Sequence, residues 1–150
     1  MQLTIRPFRE TDFPRIQEIY ARSKLDELTF EDQTFEFLPL DQDNRRFKGL
    51  LASQIVVYEQ QEIVGYAARK HSEITALFVH PEGRGAGIGK TLMQHVLDKI
   101  KGEAILYVVS SNLPAIRLYE RFGFALTKQF MTDYNGIPVS ASMMVRRVTG

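Results

Sequence analysis

The sequence predicts a mixed α/β sheet in one domain, residues 1–150, and three observations predict it. Apolar residues recur with a period of two in some stretches and at helical spacing in others, so strands and helices alternate along the chain. Their order is strand, helices, three strands, helix, strand, helix, two strands. The run from Ser72 to Val109 reads strand–helix–strand, which is a right-handed parallel crossover, while the three central strands follow one another closely enough to be antiparallel neighbours.

Taken in order, Leu3 to Phe8 alternates apolar and polar residues and forms a first strand, held to an edge or ended by Pro7. Thr11 or Asp12 caps a helix with Pro14 in its first turn and Phe13, Ile16, Ile19 and Tyr20 at helical spacing. Residues 25–40 mix Leu and Phe with acids and hold Pro39, a pattern of irregular structure that either packs aromatics into the core or walls a substrate pocket. Asp41 or Asp43 caps a helix to Leu51 with Phe47, Leu50 and Leu51 on one face. Gln54 to Glu59, Glu62 to Arg69 and Ser72 to Val79 are strands, with Gly65 marking a bulge or a close approach. Gly87 to Ile100 is a helix striped by Ile88, Leu92, Val96 and Ile100. Ala104 to Val109 lacks alternation, as a buried parallel strand does. A helix starts at Ser110–Pro114, carries Ala115, Leu118, Tyr119 and Phe122 on one face and stops at Gly123. Two last strands, Leu126 to Asp133 and Val139 to Arg147, flank Asn135-Gly136, a strong hairpin signal.

Composition narrows the function. At 44% apolar and 25% charged residues the chain is an ordinary globular one, and a net charge of +1 gives no bulk attraction to nucleic acid or an anionic membrane. The absence of cysteine removes disulfides, thiolate metal sites and a cysteine nucleophile, and suits a reducing compartment. His71, His80 and His95 are scattered without metal-ligand spacing, so no metal is expected. No apolar run reaches membrane-span length and the N-terminus lacks a leader pattern, so a cytoplasmic protein is expected.

The stretch Leu77-Phe-Val-His-Pro-Glu-Gly-Arg-Gly-Ala-Gly-Ile-Gly-Lys-Thr91 carries the strongest functional signal. An apolar strand turns at His80-Pro81, four glycines alternate at 83, 85, 87 and 89, and an amphipathic helix follows. Glycines let a backbone turn tightly and show its amides, and the first amides of a helix lack internal partners at its partly positive end. A phosphate or diphosphate is the natural ligand, with Arg84 and Lys90 adding formal charge. Spacing separates the candidates. A P-loop fits Gly89-Lys90-Thr91 but meets Arg84 where its first glycine belongs. The dinucleotide fingerprint fails in both frames, on Ile88 and on Lys90. The pattern Arg/Gln-x-x-Gly-x-Gly/Ala matches fully at Arg84, Gly87 and Gly89.

That pattern resembles the acetyl-CoA pyrophosphate loop of the GNAT N-acetyltransferase superfamily. A second run, Asn112-x-x-Ala115-x-x-x-Tyr119-Glu120-Arg121-Phe122-Gly123-Phe124, is similar to the same superfamily's helix with Asn and Tyr before a Gly-Phe exit. The resemblance covers the element order of the whole chain and is motif-level from about Glu73 to Phe124. It implies an acyl-CoA N-acyltransferase fold of about seven strands with helices on both faces and a splayed central parallel pair. It implies acetyl-CoA as cosubstrate, its diphosphate on the backbone of Arg84, Gly85, Ala86, Gly87, Ile88, Gly89 and Lys90, its pantetheine arm paired with Leu77, Phe78 and Val79, and Asn112 on the cofactor or capping its helix. The Leu77 amide is placed to receive the acetyl oxygen as it gains negative charge.

The chemistry implied is attack of a primary amine on the thioester. An alkylammonium has no lone pair and a pKa of about 10, so a proton must leave first. By match to the superfamily position Tyr119 is the acid that protonates the departing thiolate. Glu73 stands where some histone-acetylating members carry a glutamate base; His71, His80 or a chain of water are the substitutes. The acceptor is a small-molecule or peptide amine that the sequence does not name, no nucleic acid or membrane partner is expected, and the terminal hairpin offers an edge for a homodimer. Two other readings stand beside this one: a non-catalytic acyl-CoA sensor on the same fold, and a nucleotide-binding protein using Gly89-Lys90-Thr91.

Overall fold

The computed structural model describes residues 5–148. One seven-stranded sheet runs in the order β1-β2-β3-β4-β5-β7-β6, where β1 is Ile5–Pro7, β2 Gln54–Glu59, β3 Ile63–Lys70, β4 Glu73–Val79, β5 Ala104–Val109, β6 Phe124–Tyr134 and β7 Ile137–Arg146. Four helices, α1 (Phe13–Ser23), α2 (Asn44–Leu51), α3 (Ile88–Asp98) and α4 (Leu113–Arg121), cover both faces. On one face Ile16, Ile19, Tyr20 and Leu50 pack onto Val57, Tyr66 and Ala68. On the other Ile88, Leu92, Met93 and Val96 pack onto Ala67, Leu106 and Met144, with α4 riding half-buried beside them. Among the described residues no helix is long and apolar enough to cross a membrane.

The described part of the first strand is Ile5–Pro7; its expected start, Leu3, lies outside the described residues. Asp12 does not cap α1 through its side chain; that carboxylate instead takes both Arg6 Nη groups at 2.9 and 3.0 Å and the Arg9 amide at 2.7 Å. The ion pair ties the edge strand to the start of α1, and Arg6 hydrogen bonding pulls the Asp12 carboxyl below its usual range. Asp43 does cap α2, accepting from the Arg46 amide at 3.4 Å. Leu51 leaves the apolar face expected of it and is 58% exposed, since α2 ends there. Gly65 marks a close approach: a Cβ there would meet the Phe78 carbonyl and Leu92 Cδ1, each at 3.1 Å, so α3 lies tight on β3 only without a side chain.

The expected crossover is present, and its geometry explains the rest of the molecule. β4 and β5 pair in parallel only at Glu73↔Ile105 and Ile74↔Leu106, whereas β5 pairs with β7 along its whole length. The strands then part, and Thr75 to Val79 have no β5 partner. A register shift opposite Ala68/Arg69 leaves Thr75 as an extra residue in β4. Ile74, Leu77 and Val79 therefore join the α3 side of the core while Ala76 and Phe78 join the α1 side. Parting also corrects the pattern expected of β5. It alternates rather than being buried throughout, and Tyr107 is 48% exposed, because one side of the strand faces the gap.

Residues 25–40 are irregular, as expected, apart from short 3-10 turns at Lys24–Leu28 and Leu40–Gln42. They form a small core of their own, Leu28, Phe35 and Leu38 with Tyr134 and Val139 of the terminal hairpin. The Tyr134 hydroxyl donates to the Leu38 carbonyl at 3.3 Å and accepts from the Leu38 amide at 2.7 Å. Asn135 Nδ2 donates to the Glu36 carbonyl, and Ser111 donates to Glu31. Asn135 and Gly136 both take positive φ, 50° and 83°, as the two-residue hairpin turn requires.

Candidate active site

A cavity of about 480 Å³ opens where β4 leaves β5. Leu77, Phe78 and Val79 form one wall, Arg84, Gly85, Gly87, Ile88, Gly89 and Lys90 its rim, and Asn112, Leu118 and Tyr119 the opposite side. The structure thus brings together nearly all the residues the sequence nominates for an anion and its attached arm. Ala86 is not on this wall, and Glu73 lines a different space.

The rim is built by backbone conformation. Gly85 and Gly87 take φ of 89° and 77°, a left-handed conformation that side-chain-bearing residues adopt only under strain. A Cβ on either would meet nothing within 4 Å, so open space lies in front of both. Gly87 is the N-cap of α3 and has no side chain to satisfy that helix's first amides. The helical bonding starts with the Thr91 amide on the Gly87 carbonyl at 3.0 Å, which leaves the amides of Ile88, Gly89 and Lys90 for a ligand. His80 is buried and structural: its Nδ1 accepts from the Glu82 amide at 3.1 Å and shapes the turn into the loop. These features fit a diphosphate, and the unpartnered stretch of β4 fits an amide-bearing arm lying as a further strand.

Two carboxylates that the sequence did not assign to this site also line the cavity, Asp26 and Glu27. Asp26 holds Arg84 Nη1 at 2.8 Å, and Arg84 Nε donates to the Val79 carbonyl at 3.2 Å. Nothing local in the sequence signals this pairing across 58 residues. Asn112 stands at the N-terminus of α4 without a side-chain cap bond, so its amide is available to the cavity.

A second cavity of about 680 Å³ lies on the α1–α2 side and extends along the gap between β4 and β5. Its walls come from Tyr20 and Lys24 of the first helical segment, Arg45 and Arg46 of α2, and Tyr66 and Phe78 of the sheet. On its far side Tyr107 and Phe130 meet edge to face at 5.7 Å. Lys128, Phe130 and Thr132 reach it from alternate positions of β6, a period of two that the sequence does contain. Of residues 25–40 only Glu27 and Leu40 line it; residues 29–39 do not. That segment braces the hairpin more than it walls the pocket.

The two cavities share Glu27, Leu77, Phe78, Asn112 and Tyr119. Tyr119 is half-buried with its ring edge-on to Phe124 at 6.3 Å. Burial, and after it the charge of Glu27, push its hydroxyl well above the ordinary phenol pKa, so it remains protonated at neutral pH. Glu73, on the second cavity, sits at the paired end of β4, four residues before Leu77, which places their Cα atoms roughly 12 Å apart along an extended chain.

Comparisons with known proteins agree with this geometry. The model of the acetyltransferase (GNAT) family matches residues 13–124. The peptidyl-lysine N-acetyltransferase YjaB of Salmonella typhimurium is 29% identical over 144 residues, covering 92% of this chain and 94% of its own. The L-amino acid N-acyltransferase MnaT of Escherichia coli is 27% identical over 146 residues, covering 85% of this chain and 82% of its own. Among solved structures, yncA of Salmonella typhimurium with its cofactor acetyl-CoA shares the fold at TM-score 0.68 and 24% identity, over 100% of this chain and 96% of its own. A GCN5-related N-acetyltransferase structure from Rhodopseudomonas palustris does so at TM-score 0.79 and 19% identity, over 99% and 97% of the two chains. Every residue at which the two cavities meet falls inside the stretch matched by the family, so the chain belongs to the acetyltransferase (GNAT) family and is an N-acetyltransferase.

Proposed function

We propose that residues 1–150 form one N-acetyltransferase domain that takes the acetyl group of acetyl-CoA and places it on a primary amine within a ternary complex. The observation that carries this reading is the meeting of two cavities through the parted strands, one with an amide-lined anion rim and one without, at Leu77, Phe78, Asn112 and Tyr119.

When bound, acetyl-CoA supplies the acetyl group as an activated thioester. The Arg84–Lys90 backbone holds the diphosphate, and the edge of Leu77, Phe78 and Val79, left without a β5 partner, holds the arm. The Leu77 amide faces the acetyl oxygen and strengthens its hydrogen bond as that oxygen gains charge. The amine nitrogen forms the new C–N bond while the C–S bond breaks. Tyr119, kept protonated by burial, gives its proton to the departing sulfur. Glu73 receives the amine's proton. With roughly 12 Å of strand between it and Leu77, far beyond the reach of one hydrogen bond, it acts through water in the second cavity. The second proton lost by the nitrogen and the one held by Glu73 pass to solvent, which returns a proton to Tyr119, and the products are the amide, free CoA thiol and one net proton. A protein without cysteine suits the reducing cytoplasm, where we place it.

Release of CoA thiol in the presence of acetyl-CoA, followed across a panel of amines, tests the proposal. Amine-dependent release with stoichiometric acetylated product is expected. Binding of acetyl-CoA without transfer to any amine, or tight binding of Mg-ATP with no binding of CoA, would refute it.

A further inference from the structure

We infer that two copies of this chain pair through β6, antiparallel and edge to edge about a two-fold axis at Phe130. β6 ends the sheet order and is 11 residues long. Ala125 to Met131 are exposed in succession, so both faces of the strand are exposed as well as its edge. Three of those side chains are large and apolar: Leu126 at 53%, Phe130 at 37% and Met131 at 65% exposure. Proteins that stay single blunt such an edge with a very short strand, proline or charge, because its unpaired amides invite another strand. The opposite edge has those guards: β1 spans 3 residues, ends in Pro7 and carries Arg6 paired to Glu59 and Asp12. From Phe124 to Thr132 the one charged residue of β6 is Lys128.

The ladder shows which backbone groups are free. Tyr134 and Ile137 flank the two-residue turn and exchange both hydrogen bonds, so alternate residues back along β6, namely Asp133, Met131 and Gln129, turn theirs outward. Three contacts agree with that phase. Opposite Asp133 stands Pro138, which has no N–H to give. The Asp133 carbonyl accepts instead from Arg45 and Arg46, at 3.1 and 3.4 Å. Ser140, opposite Met131, gives its carbonyl to the Ser110 amide on the β5 side at 2.9 Å. The amides and carbonyls of Gln129 and Met131 therefore face away from β7. This free stretch is bounded at both ends. Arg45 and Arg46 cover Asp133, and a register shift at Thr127 ends the regular ladder, with the Thr127 hydroxyl on the Met143 carbonyl at 3.1 Å. What remains, Lys128 to Thr132, is symmetric about Phe130.

A second copy is the occupant that fits this edge. Turned by the two-fold, Gln129 exchanges two hydrogen bonds with the partner's Met131, and Met131 exchanges two with the partner's Gln129, so each free group meets its complement. Lys128 comes opposite the partner's Thr132, and like charges do not meet. A strand of the same length, bounded in the same way, fills the space between the Thr127 shift and the two arginines. The β1 edge cannot take its place, being too short and closed by Pro7. Phe130 meets the partner's Phe130 at the axis. It also meets Tyr107 edge to face at 5.7 Å and lines the second cavity, so the partner's Phe130 closes the far side of that cavity. A role for that closure in seating the acceptor rests on the ternary-complex reading above; the pairing itself does not.

Sedimentation equilibrium and cross-linking of the chain without cofactor or amine test the pairing, so its failure is distinguishable from failure of the enzymatic reading. At about 50 μM, above the roughly micromolar dissociation constant of a weak standard interface, wild type should show twice the 17.2 kDa of one chain. Met131→Pro deletes an N–H that β7 does not use, so the fold should survive while dimerisation weakens at least about tenfold. Gln129→Lys/Met131→Lys sets lysine against lysine twice at exposed positions and should do the same, which covers the case of a proline variant that fails to fold. The chain has no cysteine, so a single introduced one reports the register. Phe130→Cys, its Cα about 4.5 Å from its mate, should form an intermolecular disulfide under mild oxidation. Gln129→Cys, a diagonal neighbour of its mate at about 7–8 Å, should not. A monomeric wild type at that concentration, a folded edge variant that dimerises as tightly as wild type, a Phe130→Cys chain that does not cross-link, or a Gln129→Cys chain that cross-links as readily would each overturn the inference.

Discussion

Tyr119→Phe probes the chemical step most directly. The substitution keeps the ring, its edge-on contact with Phe124 at 6.3 Å and its place between the two cavities. It removes only an oxygen whose proton burial holds in place. A positioned general acid contributes about 10²- to 10⁴-fold. A thiolate leaves more readily than an alkoxide, its conjugate acid having a pKa of about 8.5, so the lower end applies. The turnover number should fall about 100-fold, roughly 2.7 kcal/mol of transition-state stabilisation, with the Michaelis constant for acetyl-CoA within about threefold of wild type. The pH profile carries the sign. A reaction needing Tyr119 protonated loses rate only above a pKa that burial has moved upward, so wild-type activity rises with deprotonation of the amine and shows no tyrosine-dependent fall below about pH 10. Continuous thiol detection with stopped-flow checks that chemistry, not product release, limits the rate. A variant turning over within about threefold of wild type, with no burst, would remove Tyr119 as the acid.

Other predictions follow from the loop and from one ion pair. Gly87→Val forces a β-branched residue to a φ of 77° at the head of α3, a strain of about 1–3 kcal/mol that the fold survives; CoA affinity should drop by at least about 100-fold, read by calorimetry beside an unchanged circular dichroism spectrum. Asp26→Asn frees Arg84 and removes a negative charge from the cavity proposed to hold CoA. Because that pair is exposed, CoA should bind only about two- to fivefold more tightly, an effect that shrinks in high salt, and unchanged affinity in dilute buffer would contradict it. Asp12→Asn breaks a pair whose carboxylate is 8% exposed and should cost about 2–3 kcal/mol in urea unfolding at pH 7. Arg6 holds the folded Asp12 carboxyl below its unfolded value of 3.8, so that contribution is complete above about pH 5 and is lost as the pH falls through the folded value; a gap between wild type and variant that stays constant down to pH 2 would exclude this origin.

How much of this was legible depends on whether the cause was local. The glycine turn and the Asn112–Phe124 helix read directly, since left-handed backbone, an N-terminal amide cluster and an apolar stripe each leave a mark within a few residues. The gap between β4 and β5 was implied by the resemblance, but its signature in β5 was misread: alternation at Tyr107 was there, hidden among Val and Leu, both of which suit an open or a closed neighbour. Asp12 illustrates another limit. It sits where a cap belongs, yet Arg6 and Arg9 outcompete the helix amides for its oxygens, and a charge-assisted bidentate bond is the stronger of the two. The second cavity was least legible because its walls come from α1, α2, β4, β5 and β6, brought together only by the fold.

The parted strands raise an energetic question whose answer joins fold to function. Two neighbouring strands would gain by zipping along their full length, since each buried amide left unpaired costs more than a formed bond contributes. β5 is prevented from doing so by its other neighbour. All six of its residues are in register with β7, and Ser110 extends the tie, its amide on the Ser140 carbonyl at 2.9 Å and its hydroxyl within 2.9 Å of Ser140 and 2.8 Å of Ser142. β7 is fixed in turn by the long hairpin to β6, and the irregular segment before α2 is bound to that hairpin through Leu38 and Glu36. On the other side β4 is committed to β3, with the extra residue at Thr75 turning its far half away. The opening is therefore set by the β5–β7–β6 half of the sheet rather than by the residues that line it, and the edge of Leu77 to Val79, which has no β5 partner although the Val79 carbonyl accepts from Arg84 Nε and Ser23 Oγ, is left for a strand-like ligand to complete.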